Sequence, residues 1–168
     1  MSETENKIVV RTKSGDSGRT QIGEDSEGSP VFADKDSDII ELWGSIDELS
    51  CHLGCCEARA FRTIQDILSN ITGQLYKGEI DVELLKSRTR KMERYIQKRS
   101  DGLGSIFVRP MGMIHLSRSV ARRVERQVVR WSKQNVSMKG TKELRQFFNC
   151  LSDYLYVYAE SEIDVEDD

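Results

Sequence analysis

Apolar residues recur every three or four positions from Ile39 onward, the spacing of amphipathic helices. A second helix is predicted over residues 61–75 and a third over 81–98, whose exposed face is highly charged. A fourth begins after Pro110, and a fifth spans Thr141 to Glu160. These apolar residues form one stripe along each helix, and in the first helix the stripe comprises Ile39, Leu42, Ile46, Leu49, Leu53 and Cys56.

Short polar or glycine-containing segments separate these helices: Gly78, "RSDGLGS" and "NVSMKG". Five amphipathic helices with mostly short connections predict an all-α, up-and-down five-helix bundle. A chain of 168 residues suits one domain with a real core. We therefore expect a single domain over 1–168, with 1–11 and 161–168 as flexible ends.

The first 37 residues lack the helical period and are polar and rich in glycine. "KIVVRT" predicts one short strand. The glycine-rich stretch after it predicts a loop that is either mobile or ordered by a ligand.

Charge and composition narrow the function classes. A formal net charge of -3 argues against general nucleic-acid binding, which depends on neutralising many phosphates. No apolar run is long enough to cross a bilayer, and the N-terminus lacks a secretory signal, so a cytoplasmic protein is expected. No cysteine pair has zinc-knuckle spacing. His52 and Cys56 lie one turn apart and could form a metal pair, although buried thiols fit the pattern better.

The fourth helix carries a concentration of arginines in "HLSRSVARRVERQVVRW". Arg118, Arg122 and Arg126 share one face, where like charges repel each other unless an anion or carboxylates neutralise them. The guanidinium fork suits phosphate and carboxylate oxygens. Glu125 lies three residues after Arg122 and could orient it. A solvated basic face is the alternative.

The stretch "TKSGDSGRT", residues 12–20, has the chemistry of a phosphate cradle. Its glycines allow tight turns that present backbone N–H groups, and Lys13 and the hydroxyls add donors. It is not a Walker motif, because the terminal Gly-Lys-Ser/Thr is missing. An ordinary flexible loop is the alternative.

Two further polar residues lie beside core stripes. Asp47, in "WGSIDEL", adjoins Ile46 and would gain from a cationic partner, although it could simply be exposed. Asn149, in "NCLSDYLYVYA", shares a face with Asp153 and Tyr156. It could contact a polar ring edge such as that of adenine, or satisfy a helix neighbour.

In this fixed order, "TKSGDSGRT", "WGSIDEL", "FVRPMG…HLSRSVARRVER" and "NCLSDYLYVYA" closely resemble the motifs of the trimeric, five-helix-bundle ATP:cob(I)alamin adenosyltransferases. The resemblance spans Thr12 to Ala159 and is loose in the second and third helices. It implies a ferritin-like homotrimer in which the 5′-deoxyadenosyl group of ATP moves to the reduced cobalt of cobalamin and triphosphate leaves. Mg²⁺ would accompany ATP. A flavoprotein reductase and adenosylcobalamin-dependent enzymes are possible partners.

The resemblance also implies residue roles. Lys35 and Arg122 would bind phosphates, and Asn149 would contact ATP. Asp47 would pair with Arg118 of a neighbouring subunit. Glu125 would support the arginines, and Phe107 would fill the space of cobalt's lower axial ligand, which eases reduction. The triphosphate would be wrapped by Thr12, Lys13, Gly15, Asp16, Gly18 and Thr20.

Several positions depart from the family pattern. Its Pro-Gly-Gly is Pro110-Met111-Gly112, and the segment to His115 is several residues shorter than usual, beside the implied corrinoid pocket. Other departures are Trp43 for tyrosine, Val124 for alanine, and Cys150 and Glu160 where arginine is common.

Two rival functions stay open. One is an ATP-binding homologue without turnover, acting as a sensor or corrinoid carrier. The other is a structural helical oligomer whose arginines only bridge subunits, which predicts no ATP affinity.

Overall fold

The computed structural model describes residue 13 and residues 15–56, 58–101, 103 and 110–163. A two-stranded hairpin precedes a bundle of five helices, which confirms the predicted all-α fold. The last helix continues three residues beyond the predicted Glu160, and the strand predicted at "KIVVRT" lies outside the described residues. The elements are β1 (Arg19–Glu24), β2 (Pro30–Asp34), α1 (Asp38–Gly54), α2 (Arg59–Lys77), α3 (Val82–Arg99), α4 (Gly112–Gln134) and α5 (Thr141–Ile163).

Helix α4 lies between α1 and α5, while α2 packs on α1 and α3 packs on α5. Side-chain pairs such as Gln127–Glu41 and Gln134–Asp38 show that α1 and α4 run antiparallel. The predicted up-and-down arrangement therefore holds across this seam. Among the described residues, no helix has the length and apolar character needed to span a membrane.

The core forms where the predicted stripes meet. The α1 stripe is buried from Leu42 to Leu53, and the α4 stripe is buried from Ser117 to Trp131. Helix α3 contributes less, since only Leu85 and Met92 of its apolar residues are fully buried. Its thinner stripe thus matches its place at the edge of the bundle, against α5.

Local sequence signals set several helix ends. The carboxylate of Asp81 caps α3 by accepting from the backbone N–H of Leu84 at 2.9 Å. Gly78 ends α2 in the left-handed region, with φ of 70°, which favours glycine. Helix α4 begins at Gly112, two residues after Pro110.

The expectation of a loop throughout residues 13–37 was wrong, because residues 19–34 form the hairpin. The Asp25 carboxylate accepts from the N–H groups of Glu27 and Ser29, both at 2.9 Å, and so closes the turn. Gly23 lies so close to the Tyr76 ring that a Cβ there would overlap it. The Tyr76 hydroxyl donates to the Glu24 carbonyl at 2.7 Å, which anchors the hairpin on α2.

Candidate functional site

The glycine-rich loop folds as successive turns that close onto the end of the hairpin. Asp16 N–H donates to the Lys13 carbonyl at 3.2 Å, and Gly18 N–H donates to the Gly15 carbonyl at 3.3 Å. Gly18 has φ of 82°, a conformation that glycine adopts without strain. Thr20 follows in β1, opposite Ala33.

Lys35 is held against this loop by two hydrogen bonds. Its backbone N–H donates to the Gly18 carbonyl at 2.8 Å, and its Nζ donates to the Gly15 carbonyl at 2.7 Å. Two segments that the sequence predicts to bind phosphate are therefore adjacent. The Lys35 ammonium still has donors to offer, since one carbonyl uses one of its three N–H groups.

A second group of predicted residues lies on the seam between α4 and α5. The Arg118 guanidinium carbon is 5.2 Å from the centre of the Tyr156 ring, a cation–π arrangement. Arg122 and Arg118 both act electrostatically on Asp153 of α5. Burial raises the pKa of the Asp153 carboxyl, and the two arginines lower it, Arg122 more than Arg118. The seam therefore brings two guanidinium groups within electrostatic range of one carboxyl group.

Asp153 is a site residue that the sequence interpretation did not assign. Its signal was its position one helical turn after Asn149 in "NCLSDY", on the face that carries Tyr156. By contrast, Glu125, which was expected to orient Arg122, makes no ion pair within the described part of the chain. Asp153 forms no ion pair with these arginines among the described residues either, but Arg122 and Arg118 both act on its carboxyl electrostatically.

Asn149 lies exposed on α5 and also faces α3. It lines an open cavity of about 380 Å³ between these helices, together with Lys86 and Arg90. Its amide is therefore accessible to a ligand, in a cavity that is also lined by the acidic Glu93 and Glu143.

The other α4 arginines have a different environment. Arg123 pairs with Glu48 of α1, and Arg130 Nη1 lies 4.0 Å from Asp38 Oδ1. These residues, with Gln127 and Glu41, join α1 to α4. The arginines of α4 thus fall into two groups. Arg123 and Arg130 face α1, and Arg118 and Arg122 face α5.

Asp47 and Arg118 are not brought together within the chain. Asp47 is exposed on α1, and no ion pair of Asp47 occurs among the residues that the structure describes. The neighbouring Glu48 takes the α4 arginine instead. A pair between Asp47 and Arg118 thus stays a prediction that concerns two subunits.

The start of α4 exposes an apolar patch. Met111, Met113 and Leu116 have exposed fractions of 72%, 39% and 47%. Phe107, predicted to lie at the cobalt, and Thr12, predicted to bind triphosphate, both fall outside the described residues.

No group of three or more potential metal-ligating side chains occurs among the described residues. The His52 and Cys56 pair considered from sequence gains no third ligand there. Instead, Cys56 Sγ lies 3.6 Å from the Ser117 hydroxyl. Burial raises the pKa of the Cys56 thiol, against a smaller lowering by the Ser117 hydrogen bond.

Sequence comparison finds relatives that match most of the chain. The chain is 27% identical to a corrinoid adenosyltransferase of Citrobacter freundii, covering 91% of this chain and 94% of that protein. It is also 27% identical to a corrinoid adenosyltransferase of Bacillus subtilis, covering 90% of this chain and 85% of that protein.

Structure comparison finds the same fold. A PduO-type ATP:co(I)rrinoid adenosyltransferase variant from Lactobacillus reuteri, complexed with ATP, superposes with a TM-score of 0.64 at 22% identity, covering 94% of this chain and 95% of that chain. Another variant from that organism, complexed with cobalamin and ATP, gives a TM-score of 0.61 at 22% identity, covering 90% and 91%. The profile of the cobalamin adenosyltransferase family matches residues 10–162, and the chain therefore belongs to that family.

Proposed function

We propose that this protein transfers the 5′-deoxyadenosyl group of ATP to the cobalt of cob(I)alamin and releases triphosphate. The observation that carries the proposal is the 2.7 Å contact between Lys35 Nζ and the Gly15 carbonyl. It joins the two segments to which the family motifs assign triphosphate binding. The family match over residues 10–162 supplies the reaction class.

The triphosphate would bind to the loop of Lys13, Gly15, Asp16, Gly18 and Thr20, with Lys35 beside it. The loop carries Lys13 and holds Lys35 against it, so two ammonium groups belong to one region, which suits a polyanion. Arg122 would reach the phosphates from α4, and Asn149 would contact ATP from α5.

Mg²⁺ fits this site as a companion of ATP. Magnesium is commonly bound through substrate phosphates with one or two carboxylates, so a dedicated cluster of protein ligands is not needed. The Asp16 carboxylate is exposed on the loop beside the proposed triphosphate. When bound, the ion would supply positive charge to the phosphate oxygens.

The chemistry needs no protein nucleophile. Cob(I)alamin donates the electron pair of its cobalt to ribose C5′, the C5′–O bond breaks, and triphosphate leaves with that bond's electron pair. Cobalt becomes Co(III) with a new Co–C bond. The protein contributes positioning and positive charge on the leaving group, from Lys35 and Arg122 above all.

The corrinoid would lie against the start of α4. Met111, Met113 and Leu116 form an exposed apolar surface there, which suits the face of a large ring system. Phe107 precedes this surface in the chain and would occupy the lower axial position of cobalt. The shortened Pro110–His115 segment would form the edge of this proposed pocket.

The site would be completed by a homotrimer. Asp47 is exposed and lacks an ion pair within the described part of its own chain, as a residue that pairs across an interface would. Its partner would be Arg118 of the neighbouring subunit, with ATP between the subunits. The protein would act in the cytoplasm, receive electrons from a flavoprotein reductase and supply adenosylcobalamin-dependent enzymes.

The leaving group tests this reaction. Protein, ATP, Mg²⁺ and cob(I)alamin are incubated without oxygen, and the nucleotide products are separated by ion-exchange chromatography. Triphosphate and adenosylcobalamin should form in equal amounts. Release of ADP and phosphate, or binding of ATP without its consumption, would contradict the proposal in favour of a hydrolase or a non-catalytic homologue.

A further inference from the structure

The α4–α5 seam ends in a histidine and a glutamate that lie against each other and for which the proposed reaction has no role. His115 Nε2 lies 2.9 Å from Glu160 Oε1. The His115 side chain is 2% exposed, and that of Glu160 is 14% exposed. Carboxylates are seldom buried to this extent without a partner, and here the partner is the imidazole.

The polar atoms of this pair are buried together. His115 Nδ1 and Nε2 and Glu160 Oε1 form no hydrogen bond with other described residues. The 2.9 Å approach places the carboxyl oxygen in direct contact with the imidazole, although it is not an aligned hydrogen bond. Loss of the carboxylate would leave the imidazole with no anionic partner among the described residues, so the ring would be free to rearrange.

A chain of ring contacts links this pair to the predicted ATP site. The His115 ring lies 6.2 Å from the Tyr156 ring, inclined by 65°. Arg118, one turn further along α4, places its guanidinium carbon 5.2 Å from the same Tyr156 ring. Tyr156 is therefore in contact with both His115 and Arg118.

We propose that Glu160 is a positioning residue that holds His115, and through Tyr156 fixes the guanidinium of Arg118 at the ATP site. The groups that face His115 are Glu160 and Tyr156 from α5, with Arg118 beyond Tyr156 on α4. This inference rests on the proposed function. It assigns to Glu160 an effect on ATP affinity without contact to ATP.

The test compares Glu160→Ala and Glu160→Gln with Asp66→Asn. Asp66 is exposed on α2 and takes part in no ion pair in the described part of the chain, so it controls for the loss of a negative charge away from the proposed site. Each variant is measured for the ATP dissociation constant by calorimetry and for KM and kcat in adenosyl transfer. The chain has two histidines, His52 and His115, so imidazole ¹H–¹⁵N spectra resolve the ring state with His52 as an internal reference.

Glu160→Ala should raise the ATP dissociation constant and KM about fivefold, a size typical of coupling between contacting residues, and change kcat less. The ring signals of one histidine should shift and those of the other should not. Glu160→Gln should have a smaller effect because it keeps the length of the side chain and a polar oxygen beside the imidazole, and Asp66→Asn should match the parent.

Parent-like ATP affinity in Glu160→Ala would overturn the inference, even if the variant melted at a lower temperature, because that would be a structural role only. In that case the parent still transfers adenosyl groups and the proposed function stands. A parent that neither binds nor consumes ATP would instead remove the proposed function, and this inference with it.

Discussion

Lys35 Nζ donates to the backbone carbonyl of Gly15 at 2.7 Å, across twenty residues of chain that contain the whole hairpin. The hairpin thus returns the chain to the glycine-rich loop, and its anchor is the contact between Gly23 and Tyr76. The polar, glycine-rich loop is therefore held in place by Lys35, the same residue that is proposed to bind phosphate.

Lys35→Ala should weaken ATP binding by about tenfold to a hundredfold, the range for losing one charge-assisted hydrogen bond to an anion. Helical content should not change, because Lys35 lies outside the bundle core. Calorimetric titration with ATP measures the affinity. Lys142→Ala, which removes an exposed lysine at the start of α5, is the matched control. Equal affinities in the two variants would remove Lys35 from the site.

Arg122→Ala should also weaken ATP binding by about tenfold or more and slow adenosyl transfer, since a phosphate contact and positive charge on the leaving group are both lost. The variant should stay folded, because Arg122 is exposed and no ion pair of it belongs to the α1 seam. Steady-state kinetics with varied ATP provides the measurement. Arg62 is an exposed arginine of α2, and the control variant Arg62→Ala should behave as the parent. Normal turnover by Arg122→Ala would show that Arg122 does not bind the phosphates.

Asp47→Asn should loosen the trimer and the ATP site together. The substitution keeps the size of the side chain and removes the charge that would pair with Arg118 of the next subunit, at a cost of about 3 kcal/mol if that pair is buried. Sedimentation velocity should show that the variant trimer already dissociates at protein concentrations at which the parent is still a trimer. Asp66→Asn, on the exposed face of α2, is the control. A parent that sediments as a monomer would contradict the subunit arrangement.

The raised pKa of Asp153 predicts a pH-dependent stability difference. Burial makes the folded protein hold this proton more tightly than the unfolded chain, where the carboxyl has a pKa of about 3.9. Ionised Asp153 therefore costs stability above that pH and costs nothing well below it. Asp153→Asn should raise the free energy of unfolding relative to the parent at pH 7, by less at pH 4. Urea unfolding at both pH values measures it, and a gain that grows on acidification would contradict the assignment.

The four cysteines should differ in reactivity. Burial, followed by the charges of Glu93 and Asp153, raises the pKa of Cys150 to about 12, so its thiolate is scarce at pH 8. Cys51 and Cys55 are exposed. Iodoacetamide at pH 8, followed by peptide mass spectrometry, should label Cys51 and Cys55 well before Cys150. Early labelling of Cys150 would show that α3 and α5 separate more readily than their packing indicates.

The helical period predicted the bundle because each stripe buries itself against a neighbour, as Leu42, Ile46 and Leu49 do in α1. It did not predict the hairpin. Alternation in β1 is short and is interrupted by a register shift between Gln21 and Gly23, and the anchor at Tyr76 is distant in sequence.

The sequence shows that α4 is rich in arginine, but it does not show which residue each arginine contacts. Arg122 and Arg123 are adjacent in sequence but point about 100° apart around α4, so one faces Asp153 and the other Glu48. Which neighbour lies on each side of α4 depends on the packing order of the helices. The role of Asp47 depends on a second subunit, which a single chain does not specify.

Anaerobic absorbance with chemically reduced cob(I)alamin, ATP and Mg²⁺ tests the central claim most directly. The cob(I)alamin band should disappear on addition of the protein, and light-sensitive adenosylcobalamin should take its place. A cob(I)alamin band that persists, while calorimetry shows that ATP is bound, would contradict it. That result would identify the chain as a nucleotide-binding member of the family and direct attention to the shortened segment from Pro110 to His115.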